Sequence, residues 1–430
     1  MGSMEAAVRS RARTLGLTLL CLFILSAVAA LFGPPAAAQY TALDIFDGVW
    51  NFVAEHFAGT YRVDWEEAAA IYRDTAAGAQ TVDELYEILR EMVALIGDDG
   101  TFIRTPREVE EALARDNSRI IGVGVILSST PQGDVYVLSV LTGGPAYLAG
   151  VRQGERVVAV DGVPMAGKST AEVASAIRGE EGTEVELTLA GPDDSVRTVT
   201  ISRAPVTVTQ DFEARVLPGG IGYIEVPTLR SGAEYEVLAA LRRMYSTDGL
   251  ILDLRSFDGV ADADAVLRIA GLFTQARLGA IVTRHDAAVL EPTRDWGRSG
   301  PPGVPPPTGL DYYQRPVAII VQDAAAVSPY SLALVAGLQE AGRAILVGRG
   351  AAPDLNLGGG QVIVQLPGGA ILSVTSSYLV SLRTQSFVTR FEPDVPVAVD
   401  RSYLAKWYRG EDPDVEAAIE ALARLGARRE

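Results

Sequence analysis

Cysteine is almost absent from this 430-residue chain, and lysine nearly so. The one cysteine, Cys21, lies in an apolar N-terminal run, so the rest of the chain offers neither a disulfide nor a thiol nucleophile, and its stability must come from packing. Lysine occurs only at Lys168 and Lys406, which leaves two candidates for any lysine base, and histidine only at His56 and His285. Positive charge is scarce overall: 37 Lys and Arg stand against 54 Asp and Glu, a net charge of −17. A chain so acidic is a poor ligand for nucleic acid, and the acidity reads as solubility. No cluster of His, Cys, Asp and Glu has metal-ligand spacing. The stretch "GVPMAGKST" lacks the leading glycine of a phosphate loop, so no metal and no cofactor is expected.

Hydrophobic residues make up 48% of the chain, enough for two or three domains with real cores. At the N-terminus Arg9, Arg11 and Arg13 precede an apolar run from Leu15 to Phe32 and then "GPPAAAQY", the pattern of an export signal cut after Ala38. The alternative is an uncleaved membrane anchor, since the run reaches the lower limit for a span. Residues 1–38 are therefore assigned to a leader, and the mature chain is expected outside the cytoplasmic membrane.

Residues 39–117 carry apolar residues at helical spacing in "LDIFDGVWNFVAEHF", "WEEAAAIYRDTA" and "VDELYEILREMVALIG", with Asp64 and Thr81 as N-caps. Residues 118–207 switch to short β-type runs between Gly, Pro and Asp turns, with one good helix, "STAEVASAIRG". Residues 208–430 alternate strand and helix patterns, which predicts an α/β domain with a largely buried sheet. A Pro- and Gly-rich stretch from Glu291 to Pro316 reads as a surface loop. The fold class is thus multidomain α/β: a helical region, a β-rich module and an α/β core.

The module resembles a PDZ domain of the exported-protease type. "GVGV" at Gly122 to Val125, "GGPAYLAGVRQGERVVAVDG" at Gly143 to Gly162 and the helix ending in Gly179 carry the likeness. Closely spaced glycines before a strand let backbone N–H groups converge on a carboxylate, while the strand edge takes an extended peptide. Gly122, Val123, Gly124, Val125, Val173 and Ile177 are the candidate peptide-binding residues; Val173 and Ile177 stand one helical turn apart and so can border one groove.

The chain after the leader resembles the C-terminal processing peptidases, or tail-specific proteases, through "LIGDDGTFIRTP", "GYIEV", "GLILDLRSFDG", "GLQEAGRAILVG" and "FEPDVPV". The resemblance implies a serine nucleophile, a lysine base, a glutamine that positions the lysine, and glycine amides for the oxyanion. It also implies unstructured protein C-termini as partners, and oligomer surfaces shared with a second copy or an active paralogue.

The matching positions depart from that pattern. With "LQEAGRAILVG" as the anchor, Ser331 aligns with the serine before the family's glutamate, and the nucleophile position falls on Pro329. The lysine position, 25 residues on, falls on Asp354, and the glutamine position on Gly358. A slip by one residue offers Ser328 with Pro353, a slip by two Ser331 with Asn356; none creates a lysine. In the oxyanion segment "SFDGV" only Gly259 matches, with Val260 where a glycine is expected. A serine hydroxyl without a base of suitable pKa is a poor nucleophile, and an aspartate of pKa ~3.9 is a weak base unless burial raises it. The expectation is a peptide-binding protein that has lost its catalytic dyad. One alternative is an active peptidase that uses Ser328 or Ser331 with Asp354 or His285. Another is an interaction protein whose groove has also decayed. Asp253 and Asp394 are expected to make strand-end hydrogen bonds.

Overall fold

The computed structural model describes residues 40–59, 63–110, 120–130, 132–206, 212–296, 313–322, 328–350 and 359–427. The leader, Pro353, Asp354, Asn356 and Gly358 lie outside the described residues.

The described residues open with three amphipathic helices, α1 (Ala42–His56), α2 (Trp65–Ala77) and α3 (Val82–Ala94). Their starts are written in the sequence. Thr41 and Asp44 form a reciprocal capping box, Asp64 accepts from the Glu66 and Glu67 amides, and Thr81 accepts from that of Glu84. Strand β1 (Phe102–Arg104) follows. The helices bury Phe46, Val53, Leu89 and Met92 against Leu372 and Val374, which lie far downstream, so this region shares its core with the C-terminal half.

The module comprises β2 (Ile120–Gly122), β3 (Val125–Ser129), β4 (Val135–Val140), α4 (Pro145–Leu148), β5 (Arg156–Val160), β6 (Val163–Pro164), α5 (Thr170–Ile177), β7 (Glu184–Ala190), β8 (Val196–Ser202) and β9 (Ala204–Val206). Its sheet runs β3-β4-β5-β7-β8, with β6 on β5, and β2 pairs separately with β9. Strand β3 is therefore an edge: among the described residues its outer side carries no strand.

The core begins with β10 (Glu213–Leu217), β11 (Ile221–Glu225), α6 (Ala233–Arg243), β12 (Gly249–Asp253) and α7 (Ala263–Gly271). Strands β13 (Gly279–Thr283), β14 (Ala287–Leu290) and β15 (Val317–Val321) follow, then α8 (Pro329–Glu340) and β16 (Ala344–Gly348). The rest is β17 (Gly359–Gln365), β18 (Ile371–Val380), β19 (Phe387–Val388), β20 (Val395–Pro396), α9 (Arg401–Tyr408) and α10 (Pro413–Ala427).

One sheet runs β10-β11-β12-β15-β16-β20 and is parallel from β11 onward. Every residue of β12 and β15 is buried, as a sheet covered on both faces requires. Side chains from α6, α7 and α8 cover one face, and Ala418, Ala421 and Leu422 of α10 the other. A second, antiparallel sheet differs from the simple alternation expected. Its long strand β18 takes β17 and β19 on one side, β1 and β13 on the other, and β14 extends it beyond β13. "GAIVTR" reads locally like another buried parallel strand; its partners, Ser377 to Val380, are what assign it to the second sheet.

Helix α9 joins the module to the core. Trp407 Nε1 donates to Leu138 O on β4 (2.8 Å), and Gln153 Nε2 donates to Trp407 O (3.2 Å). Tyr136, Val399, Tyr403 and Trp407 form one buried cluster. At Gly154 (φ +84°) a Cβ would stand 2.7 Å from Leu404 O, so only glycine permits this approach. Beneath α9 lies a buried ion cluster. Arg255 pairs with Asp253 (2.5 Å), Asp412 (2.7 Å) and Asp414 (3.1 Å), while Arg349 reaches Asp414 at 3.4 Å. Tyr223 and Tyr403 donate to Asp253 and Asp414.

Candidate functional site

Helix α8 starts at the C-terminal end of the parallel sheet, where an α/β fold places its chemistry. Pro329 occupies its first turn and is buried. Proline fits there because its missing N–H has no helical partner to lose, but the same absence removes an amide from the corner. Ser328 is the N-cap, at φ −121° and ψ 142°, and its hydroxyl accepts from the Tyr330 amide at 3.2 Å. Ser331 lies one turn on, fully buried; its hydroxyl donates to Ser328 O (2.9 Å) and accepts from Ser328 N (3.3 Å). Both hydroxyls are thus enclosed in one capping box. Among the described residues no carboxylate, imidazole or amine hydrogen-bonds to either. The floor is also packed: a Cβ at Gly360 would collide with Ser377 Oγ and lie 3.3 Å from Pro329 Cγ.

The oxyanion segment turns at Gly259 (φ +82°). Val260 N–H donates to Asp258 Oδ1 (2.9 Å), Asp258 N–H to Pro227 O (2.8 Å), and Leu229 N–H to Val260 O (3.1 Å). Arg230 holds the other oxygen of Asp258 at 3.2 Å. Of these amides only that of Gly259 lacks an acceptor among the described residues. An oxyanion site needs donors kept free for the developing charge, and this turn spends most of its own.

The lysines and histidines are engaged elsewhere; Asp354 lies outside the described residues. Lys168 pairs with Glu172 on the module (3.0 Å), and Lys406 with Glu416 (2.7 Å). His285 is exposed and its Nε2 lies 3.0 Å from Glu55 O at the end of α1; His56 stacks on Phe52 at 4.1 Å. The structure thus brings Ser328, Pro329 and Ser331 together at the start of α8 and keeps His285 with the helical region. Asp394 accepts from the Leu346 amide of β16 (2.8 Å), a strand-end bond as expected.

Asp253 does more than cap a strand. Burial would raise its pKa, but the charge and hydrogen bonds of Arg255 overcome this and hold the carboxyl below its usual range. Burial likewise works against the Arg255 cation, and Asp253 and Asp412 outweigh it, so this guanidinium stays charged. Arg255 immediately precedes the oxyanion segment, and its carbonyl accepts from Gln322 Nε2 at the end of β15. The cluster fixes the roots of the loops at this corner. The sequence reading missed Arg255, Arg349, Asp412 and Asp414; "LDLR" was the one local signal.

The second site is a mostly apolar cavity of about 320 Å³ between β3 and α5. Val123 and Gly124 line its glycine end, where their carbonyls accept from Ala146 (2.7 Å) and Leu141 (2.9 Å). The N–H groups of the same two residues have no acceptor among the described residues. Gly124 sits at φ +80°, which favours glycine and turns the loop into β3. The helix contribution corrects the sequence reading: Val173 is fully buried in the module core and does not line the cavity. Thr170 and Ala174 line it instead, with Ile177 shared between cavity and core. Val173 belongs to the face of α5 turned onto the sheet, and on so short a helix two apolar faces look alike.

A PDZ-like module on an α/β hydrolytic scaffold defines the class, and comparison with known proteins agrees. Residues 136–191 match the PDZ domain and residues 220–397 match peptidase family S41. The chain belongs to the C-terminal processing peptidases of that family. It is similar to the carboxyl-terminal-processing protease of Picosynechococcus sp., 27% identical over 354 residues that cover 80% of each chain. It is also similar to the chloroplastic carboxyl-terminal-processing peptidase 3 of Arabidopsis thaliana, 26% identical over 345 residues, 76% of this chain and 63% of that one. Among solved structures the photosystem II D1 C-terminal processing protease shares the fold, with a TM-score of 0.54 at 22% identity over 83% of this chain and 93% of that one. No helix among the described residues is long and apolar enough to cross a membrane, and none of their His, Cys, Asp and Glu residues group to hold a metal ion.

Proposed function

We propose that this chain is an exported relative of the C-terminal processing peptidases that captures unstructured protein C-termini in the groove between β3 and α5 and does not cleave them. The free edge of β3 beside two unspent loop amides carries the first half. An extended tail pairs with the strand edge, its carboxylate accepts from the Val123 and Gly124 amides, and its last side chain rests against Ala174 and Ile177. The capping box of Ser328 and Ser331, with Pro329 between them, supports the second half: among the described residues no base hydrogen-bonds to either hydroxyl to take its proton. The charged-then-apolar leader supports export. A few ordered residues bury little area against the entropy of a flexible tail, so binding of micromolar order is expected.

Isothermal titration of the purified protein with one hydrophobic-tailed peptide, as free acid and as C-terminal amide, tests capture. The acid should bind at least about tenfold more tightly, since an amide cannot accept the charge-assisted bonds. Equal affinities would overturn the groove reading. Incubation with a serine-directed phosphonate tests catalysis: labelling that vanishes in Ser328→Ala or Ser331→Ala would restore the active-peptidase reading.

A further inference from the structure

Three carboxylates lie in one row across β10, β11 and β12. Glu213 is registered opposite Glu225, and Glu225 opposite Asp253, so all three side chains leave the same face of the sheet. The next row on that face pairs Arg215 with Tyr223, the guanidinium standing 4.4 Å above the ring. Like charges directly opposite one another destabilise a sheet unless cations intervene. Two of the three have a cation. Asp253 holds Arg255 (2.5 Å), and Glu213 pairs with Arg215. Glu225 makes no ion pair among the described residues: the guanidinium of Arg255 is committed to Asp253, Asp412 and Asp414.

Glu225 is half-buried at the last position of β11. Burial pushes its pKa up, as do the charges of Asp253 and Glu213; the Ser256 hydroxyl and the Arg255 charge oppose this without cancelling it. The backbone that follows carries the oxyanion segment. Val226 N–H donates to Asp253 O (2.9 Å), Asp258 N–H to Pro227 O (2.8 Å) and Leu229 N–H to Val260 O (3.1 Å). Through these bonds, and through Ser256 itself, the turn from Ser256 to Val260 hangs on the exit of β11.

We propose that Glu225 is a proton-operated latch on this turn: neutral, it lets β10 to β12 and the segment Ser256 to Val260 close on one another; charged, it strains the row and loosens the turn. A carboxyl whose folded pKa is raised contributes stability that is fully present below the unfolded value, ~4.3 for glutamate. That stability is lost as pH rises through the folded value. Asp253 responds in the opposite sense and in a lower window, below ~3.9, so the two do not overlap. For a chain exported as proposed above, the firmness of this corner then follows the pH outside the membrane. The latch itself does not depend on that reading.

The test is hydrogen–deuterium exchange of the purified protein and its Glu225→Gln variant, compared at equal pH from about 4 to about 8 so that intrinsic exchange cancels. Peptides covering residues 221–226 and 249–260 should exchange about five- to tenfold more slowly in Glu225→Gln at the alkaline end, one pKa unit being a factor of ten. At the acid end the two proteins should coincide. Peptides from β7 and β8 of the module serve as the reference and should not change. Glu213→Gln removes one neighbouring charge, so it should follow the parent's course with the transition moved to lower pH. No difference between Glu225→Gln and the parent at any pH would overturn the latch. So would a difference that is the same at every pH, which would make residue 225 a matter of shape. Faster exchange in Glu225→Gln at the alkaline end would make the carboxylate an anchor for Ser256 and overturn it as well.

Discussion

The start of α8 and the mouth of the β3–α5 groove are both places where a peptide could meet backbone amides, and they treat those amides in opposite ways. At α8 most of the described amides are removed or used: Pro329 has none, that of Tyr330 goes to Ser328 Oγ, that of Val260 goes to Asp258, and only that of Gly259 lacks an acceptor among the described residues. At the groove the carbonyls of Val123 and Gly124 are used and their N–H groups have no acceptor among the described residues. Buried amides in a folded protein are paired unless something else is meant to pair them. On the function proposed above, the state of the donors is what separates a scaffold from a binding site, even where the surrounding fold is shared. Among the described residues the corner at α8 turns most of its donors inward, whereas the groove leaves two amides open.

The largest expected effect sharpens the scaffold side of this contrast. Replacing Arg255 with methionine leaves the buried Asp253 and Asp414 and the partly exposed Asp412 together without their shared cation. Breaking such a cluster by removing one partner costs about 3–5 kcal/mol, and urea denaturation of the purified variant should read that loss. Acid provides the sign. The folded pKa of Asp253 is depressed, so its contribution to stability is present above the unfolded value near ~3.9 and is lost as pH falls through the folded one. The parent should therefore lose stability on acidification. In Arg255→Met the three carboxylates repel, so mild acid should restore stability rather than remove it. A variant as stable as the parent at neutral pH would show that the cluster is not what anchors this corner.

The next effect breaks the groove side if the donor argument is wrong. Gly124 has φ +80°, a conformation that costs a β-branched residue about 1–3 kcal/mol, and Gly124→Val should pull the loop away from the geometry in which its amides converge. Affinity for a free-acid peptide should drop about tenfold or more, with the amide peptide little affected. The matched control is Gly133→Val, also at positive φ (+87°) but on the β3–β4 turn with open space around it. It should cost stability without changing the ratio of the two peptides. Equal loss of acid preference in both variants would mean that the ratio reports general module damage.

How much of this was legible beforehand follows from how local each signal is. The three N-terminal helices carry their caps and periodicity within a dozen residues, and the glycine-rich entrance to β3 lies within four. The phase of α5 was not legible, because Val173 and Ala174 are adjacent apolar residues and only the sheet beneath decides which one faces it. The second sheet was hidden because β18 finds partners from Phe102 to Val388, each too short to announce its register. The ion cluster was hidden most deeply: Arg255 and Asp412 are 157 residues apart, and no spacing rule joins them. The proposed loss of the nucleophile rests, by contrast, on a single proline, Pro329, read in register with an unbroken anchor on the far side of α8.

The smallest effect asks what Ser328 is for. As an N-cap it satisfies the Tyr330 amide, and its loss in Ser328→Ala should cost about 1 kcal/mol of stability. A cap also has a rescue order that a nucleophile lacks. Aspartate, asparagine and threonine accept the same amide bond, so Ser328→Asp and Ser328→Asn should recover most of the loss, and the aspartate should gain a little more from the positive end of the helix dipole. Glycine should fall within a few tenths of a kcal/mol of serine. The capping box adds one condition: Ser331→Ala removes a buried hydroxyl that ties Ser328 N and O, so its cost should not add to that of Ser328→Ala in the double variant. Thermal or urea unfolding of this short series suffices. If stability were indifferent to every change while phosphonate labelling followed the serine alone, Ser328 would be a nucleophile that happens to sit at a helix start. If stability follows the cap ranking with no labelling at any step, the corner is scaffold and the groove is the site.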